Sequence, residues 1–153
     1  MASEGAVAEL PFRQVAEDLP TPCWISDAEG HITWVNKAWL AYTGKDPAAL
    51  SREGLAGLHD PTVYSEVQRR WAAAKSAGRP DEMQFPLRGR DGVLRPFLTR
   101  VVPLRDASGR VTRWFGTNTD ISSLAEAQKR AERSETERRA YEARLRRAAD
   151  TVG

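Results

Sequence analysis

The sequence predicts an α+β fold: a five-stranded antiparallel sheet with short helices on one face, followed by a long C-terminal helix. Three observations carry this reading. Five runs rich in β-branched and aromatic residues are bounded by Gly, Asp and Pro turn signals. Between the second and third runs lie short segments with helix caps and glycine stops. From Ser122 onward the chain is mostly Ala, Glu, Gln, Lys and Arg, which favour helix.

Met1 to Glu9 is rich in Ala, Glu and Gly and is expected to fray. Phe12, Val15, Ala16 and Leu19 recur at helical spacing, the stripe of a short amphipathic helix ending before Pro20. Cys23 to Ser26 and His31 to Val35 are short strands joined by the turn Asp27 to Gly30, together a hairpin. Asn36 caps a helix over Lys37 to Thr43, which Gly44 stops. Asp46 and Pro47 open a single turn to Leu50, and Ser51 to Leu58, with two glycines, reads as irregular. Thr62 to Ala77 is the best helix of this region, with Val63, Val67, Trp71 and Ala74 as its apolar stripe and Gly78 as its stop. The rest is strand and turn: Met83 to Arg88, the turn Gly89 to Gly92, Val93 to Leu104, the turn Asp106 to Gly109, and Val111 to Thr119. Pro96 inside the fourth run points to an edge position or a bulge. Asp120, Ser122 and the Ser123/Glu126 pair offer caps to the final helix.

Length and composition set limits. At 153 residues with 41% apolar content the chain holds one domain and an extension, and the core falls within its first 120 residues. A net charge of +2 does not point to nucleic acid, and the Arg69-Arg70, Arg138-Arg139 and Arg146-Arg147 pairs read as solvated helix faces. The single cysteine, Cys23, excludes an internal disulfide and a cysteine-based zinc site. No apolar run reaches the ~18 residues of a membrane span, so no membrane contact and a cytoplasmic location are expected. No phosphate loop, nucleophile elbow, zinc-protease motif or dinucleotide glycine pattern occurs, so no catalytic residue and no metal site are assigned. His31 and His59 lie on separate turns without a ligand partner at metal spacing, and both read as turn residues.

The C-terminal helix carries a 3-4 repeat through Leu124, Ala127, Ala131, Ser134, Arg138, Tyr141, Leu145, Ala148 and Val152. The phase holds for four heptads, but Ala, Ser and Arg weaken the middle of the seam. A dimeric coiled coil is the favoured reading, with a single exposed helix as the alternative.

The segments Asp27–Asn36 (D-A-E-G-H-I-T-W-V-N), Leu58–Pro61 (L-H-D-P), Pro103–Val111 (P-L-R-D-A-S-G-R-V) and Trp114–Ile121 (W-F-G-T-N-T-D-I) together resemble a PAS domain, the last two its PAC motif. The division expected is a flanking segment over 1–16, the domain over 17–121 and a signalling helix over 122–153. The resemblance implies an intracellular sensory and dimerisation module, most simply the input domain of a bacterial histidine kinase. The tail contains no histidine to accept a phosphoryl group, so any kinase or other effector domain is expected beyond Gly153.

The resemblance also bears on cofactors. Flavin-binding light sensors of this family place a cysteine in an N-C-R motif opening the helix equivalent to Thr62–Ala77, where this chain reads L-H-D-P-T-V-Y. Two of the three positions that hold the flavin ring with amides are apolar here, Leu87 and Phe97, and only Asn118 is an amide. Haem-binding relatives take a histidine from the same helix, and none is present. No cofactor is therefore expected, while an unknown small molecule stays open. Strand alternation turns Trp24, Ser26, Phe85, Leu87, Phe97, Thr99, Val101, Trp114, Gly116 and Asn118 toward the helices. Two readings stand: a filled core, or a small-molecule pocket with Thr99 and Asn118 as polar anchors and room left by Gly116. Gly116, Asp120 and Ile121 are the expected relay from the last strand into the helix. Homodimer contacts are assigned to Phe12, Val15, Leu19 and Phe115, with Trp34 beside Phe115 on the outer sheet face, and to Leu124, Tyr141 and Leu145 on the helix.

Overall fold

The computed structural model describes residues 12–152; the expected fraying of Met1 to Glu9 lies outside the described residues. Strands β1 (Cys23–Asp27), β2 (Ile32–Val35), β3 (Asp81–Arg88), β4 (Leu94–Arg105) and β5 (Val111–Asp120) form one sheet in the order β2-β1-β5-β4-β3. Every neighbouring pair is antiparallel. Residues 12–17 are helical (α1), followed by α2 (Lys37–Thr43), α3 (Pro47–Glu53), a 3-10 turn (Ala56–Leu58), α4 (Tyr64–Ala77) and α5 (Ser122–Val152). The core lies between the inner face of the sheet and α2 to α4, around Trp24, Trp39, Leu58, Phe85, Phe97 and Trp114.

Local chemistry explains the boundaries. Asn36 accepts from Trp39 N at 3.0 Å and so starts α2. Asp46 does the same for Ala49 N at 2.8 Å, with Pro47 at the first position of α3. The helix opened by Asp46 continues through Ser51 to Glu53 instead of ending at Leu50, so the irregular stretch shrinks to Gly54 and the 3-10 turn. Glu53 pairs with Lys45 and ties the end of α3 to the segment before it. At the start of α4, Asp60 Oδ1 takes both Thr62 N (3.0 Å) and Thr62 Oγ1 (2.9 Å). That Asx turn delays the helix from Thr62 to Tyr64.

β4 pairs with both β3 and β5 and no bulge falls at Pro96, but Pro96 lies beyond the last pair with β5 and so holds the edge position expected of it. It lies opposite Pro86 of β3. Two prolines facing each other can only be a non-hydrogen-bonded pair, so each missing N–H points away from the other strand. On that side of Pro96, β5 has already ended, its last pair being Asp120 with Phe97. The ladder therefore loses nothing.

The chain divides between Asp120 and Ile121 into two compact units. Helix α5 has 31 residues, none of them buried, and spans about 46 Å at 1.5 Å rise per residue. Arg138 pairs with Glu135 and Glu142, and Arg139 with Glu135, along its surface. Leu124, Tyr141 and Leu145 are each more than half exposed.

Candidate functional site

A row of polar groups crosses the apolar inner face of the sheet. The Trp24 indole N–H donates to Asn118 Oδ1 at 3.1 Å. Asn118 Nδ2 donates in turn to Thr99 Oγ1 at 2.6 Å. An indole nitrogen is a donor only, so it fixes which end of the Asn118 amide faces which neighbour. Register explains the juxtaposition, because Thr99 stands directly opposite Asn118 and Trp24 opposite Gly116. Asn118 N also donates to Pro22 O at 2.9 Å, so backbone and side chain of one residue link β5 to β1 and β4.

Gly116 does not leave open room. The Trp24 indole lies across it, and a Cβ there would meet Trp24 Cε2 at 2.1 Å. The free volume lies further along the inner face, in a cavity of about 80 Å³ whose wall includes Trp24, Phe85, Leu87, Thr99 and Asn118. Phe97 and Trp114, assigned to the same candidate site, do not line it. Phe97 packs against Tyr42 at 4.9 Å, and Trp114 lies behind Trp71, edge-on at 5.1 Å. Ile32, Trp39, Leu55, Leu58, Val67 and Met83 complete much of the apolar wall. The turns that bring Leu55 and Leu58 there have no hydrophobic period, which is why alternation and helical spacing did not find them.

His59 is the residue that sequence reasoning undervalued. It ends the 3-10 turn, as expected of a turn residue, and makes an isolated bridge to Leu87. Its ring, however, is only 7% exposed and lines the cavity. The imidazole packs against Tyr64, stacked at 5.1 Å, and Phe85, tilted at 5.2 Å. Nδ1 is buried without a hydrogen-bond partner among the described residues. Burial pushes the ring's pKa down to about 4, so it is neutral at physiological pH.

A second cleft, of about 540 Å³, adjoins the cavity between the β1–β2 hairpin, α3 and α4. The two share Gly30, Ile32, Leu55, His59, Val67 and Trp71 as walls. Lys75 Nζ closes one side by donating to Glu29 O at 2.9 Å while lying over the Trp71 ring. His31 does have carboxylates beside it, contrary to the spacing argument. Asp27, Glu29 and His31 each place one ligand atom within 4.8 Å of the others. Asp27 is already committed to the turn there: Oδ1 accepts from Glu29 N and His31 N, and Oδ2 meets His31 Nδ1 at 3.1 Å.

On the outer face, Phe115 stands beside Ile25, and Ile25 beside Trp34. Phe12 of α1 meets Phe115 edge-on at 5.1 Å, so the chain's own helix supplies part of the cover. Val15, at 66% exposure, and Leu19 remain outside that contact. Asp120 ends β5 opposite Phe97, and Ile121 alone separates that strand from Ser122, the first residue of α5. Cys23 is fully buried, and burial pushes its thiol up to about 11.

Comparison with known proteins follows from this geometry. A family model described as "PAS fold" matches residues 16–126. The uncharacterized protein y4lL of Sinorhizobium fredii is 30% identical over 109 residues, covering 71% of this chain and 13% of that protein. The peroxide stress-activated histidine kinase mak1 of Schizosaccharomyces pombe is 31% identical over 131 residues, covering 84% of this chain and 8% of the kinase. The chain thus spans a small fraction of the curated relatives it matches. Among solved structures, an RNA-binding Light-Oxygen-Voltage receptor matches with a TM-score of 0.73 at 17% identity, over 88% of this chain and 39% of that one.

Proposed function

The chain belongs to the PAS family, and from that premise we propose that it is the sensory input and dimerisation module of a cytoplasmic signalling protein. A small molecule or partner acting at the inner face of the sheet alters the Trp24–Asn118–Thr99 chain, and β5 passes the change into α5. Two copies pair through α1, Phe115 and the α5 seam, and the paired helices hand the change to an effector. The effector we infer is a bacterial histidine kinase lying outside this stretch, with catalysis confined to it. The Schizosaccharomyces pombe relative supports the histidine-kinase part of that inference.

One observation carries the reading: Asn118 accepts from one strand and donates to another, two residues before β5 ends. A change in that amide's partners acts on the last strand directly, with Gly116 two residues before it and Asp120 and Ile121 between it and α5. Flavin is not the ligand proposed. Leu87 and Phe97 offer the ring no hydrogen bonds.

The test is Asn118→Leu in the full-length protein, effector included. Altered output with the thermal transition retained is expected. Unchanged output and unchanged helix pairing contradict the relay. A second reading, dimerisation alone over a filled core, is favoured by the Trp24 indole occupying the space over Gly116. It predicts that no small molecule changes output.

A further inference from the structure

The 93% of His59 that is buried includes a nitrogen without a hydrogen-bond partner among the described residues. Tyr64 and Phe85 both pack against the imidazole, at 5.1 and 5.2 Å, and Nδ1 has no acceptor or donor among the described residues. An unpaired buried polar group is destabilising, so such a site favours whatever supplies the missing bond. The wall around it is mostly apolar and aromatic, with Trp39, Trp71 and Phe85 among its members, and its polar side chains Thr99 and Asn118 are bonded to each other. A lone water needs two to four polar partners, and this wall provides few.

We propose that His59 Nδ1 is the recognition point for a small neutral alcohol or phenol, whose apolar body lies between the cavity and the adjoining cleft. The hydroxyl is the group that fits either tautomer, because it can donate to a bare Nδ1 or accept from a protonated one. Size sets how such a guest lies. The cavity of about 80 Å³ is roughly half the ~150 Å³ that holds a benzene ring. A ring-sized guest therefore passes His59 and extends into the cleft of about 540 Å³ with which it shares that wall. A charge at the end that enters the cavity is disfavoured, since no charged side chain lines it.

The inference rests on the sensory reading above and deepens it by naming the ligand class. The experiment is titration of the full-length protein with phenol and with its isostere toluene, followed by calorimetry and by the ¹⁵N shift of the His59 ring. Phenol is expected to bind roughly tenfold more tightly than toluene, the preference of a site whose polar group is otherwise unpaired. It is expected to move the Nδ1 resonance, which toluene leaves in place. In His59→Phe, which keeps an aromatic ring against Tyr64 and Phe85, phenol affinity is expected to fall to that of toluene while toluene is unaffected. Equal binding of the two in the unsubstituted protein, no binding of either, or undiminished phenol binding by the variant overturns the proposal. The sensory reading fails separately: phenol that binds as described without changing output refutes the relay and leaves the ligand class standing.

Discussion

The indole of Trp24 lies directly over the backbone of Gly116, so close that even a methyl group on that glycine would fall 2.1 Å from the ring. Absence of a side chain on β5 is thus what lets a β1 tryptophan reach Asn118. The two strands share one inner-face position, and the larger residue takes it.

Gly116→Ala must push the indole aside and break its bond to Asn118. Overpacking of a core costs about 1–3 kcal/mol, and the lost hydrogen bond adds about 1 kcal/mol. Urea unfolding is expected to show a loss of about 3 kcal/mol, with the near-ultraviolet tryptophan signal changed.

The Trp24–Asn118 bond is measurable by a double-mutant cycle of Trp24→Phe and Asn118→Leu. Each single change leaves a buried partner unpaired and costs about 1–3 kcal/mol. Since one bond is lost either way, the pair is expected to cost less than the sum by about 1 kcal/mol. Strict additivity means the two side chains are not coupled.

Asn36 does more than cap a helix. Its Oδ1 accepts from Cys23 N and Trp39 N, while Nδ2 donates to Ala16 O and Thr21 O at 2.8 and 2.9 Å. Asn36→Ala is expected to cost about 3 kcal/mol, because several buried backbone groups lose their partner together. Hydrogen exchange in residues 12–22 is expected to quicken more than in α4.

His59 predicts a pH dependence. Its folded pKa, about 4, lies below the unfolded value near 6.5, so between these the unfolded chain binds more protons. Stability is therefore full above pH 6.5 and declines as pH falls toward 4, by about 3 kcal/mol in all. Urea midpoints of His59→Phe, compared with the unsubstituted chain at pH 5 and 7.5, are expected to lack that share of the decline.

Much of the fold was legible because the boundaries are written in short-range chemistry. Asn36, Asp46, Gly44 and Gly78 act on their own neighbours, so spacing alone finds α2, α3 and α4. Strand alternation likewise turned Thr99 and Asn118 inward, where both are buried. What could not be read depends on partners distant in sequence. The space over Gly116 is filled from 92 residues away by Trp24, and His59 is buried by Phe85 on another element. The edge position read for Pro96 arises inside β4 only because of where β5 happens to stop.

The central claim is that β5 governs the pairing of α5, and spin-label distances between copies test it most directly. Cys23, the one cysteine of this chain, is buried and its thiol is held protonated, so a label placed off the seam by Ala143→Cys, in the full-length protein with any effector cysteines replaced, reports on α5 alone. Asn118→Leu is expected to shift the distance distribution between the two labels while the thermal transition persists. An identical distribution in both proteins, or no inter-copy distance at all, contradicts the account.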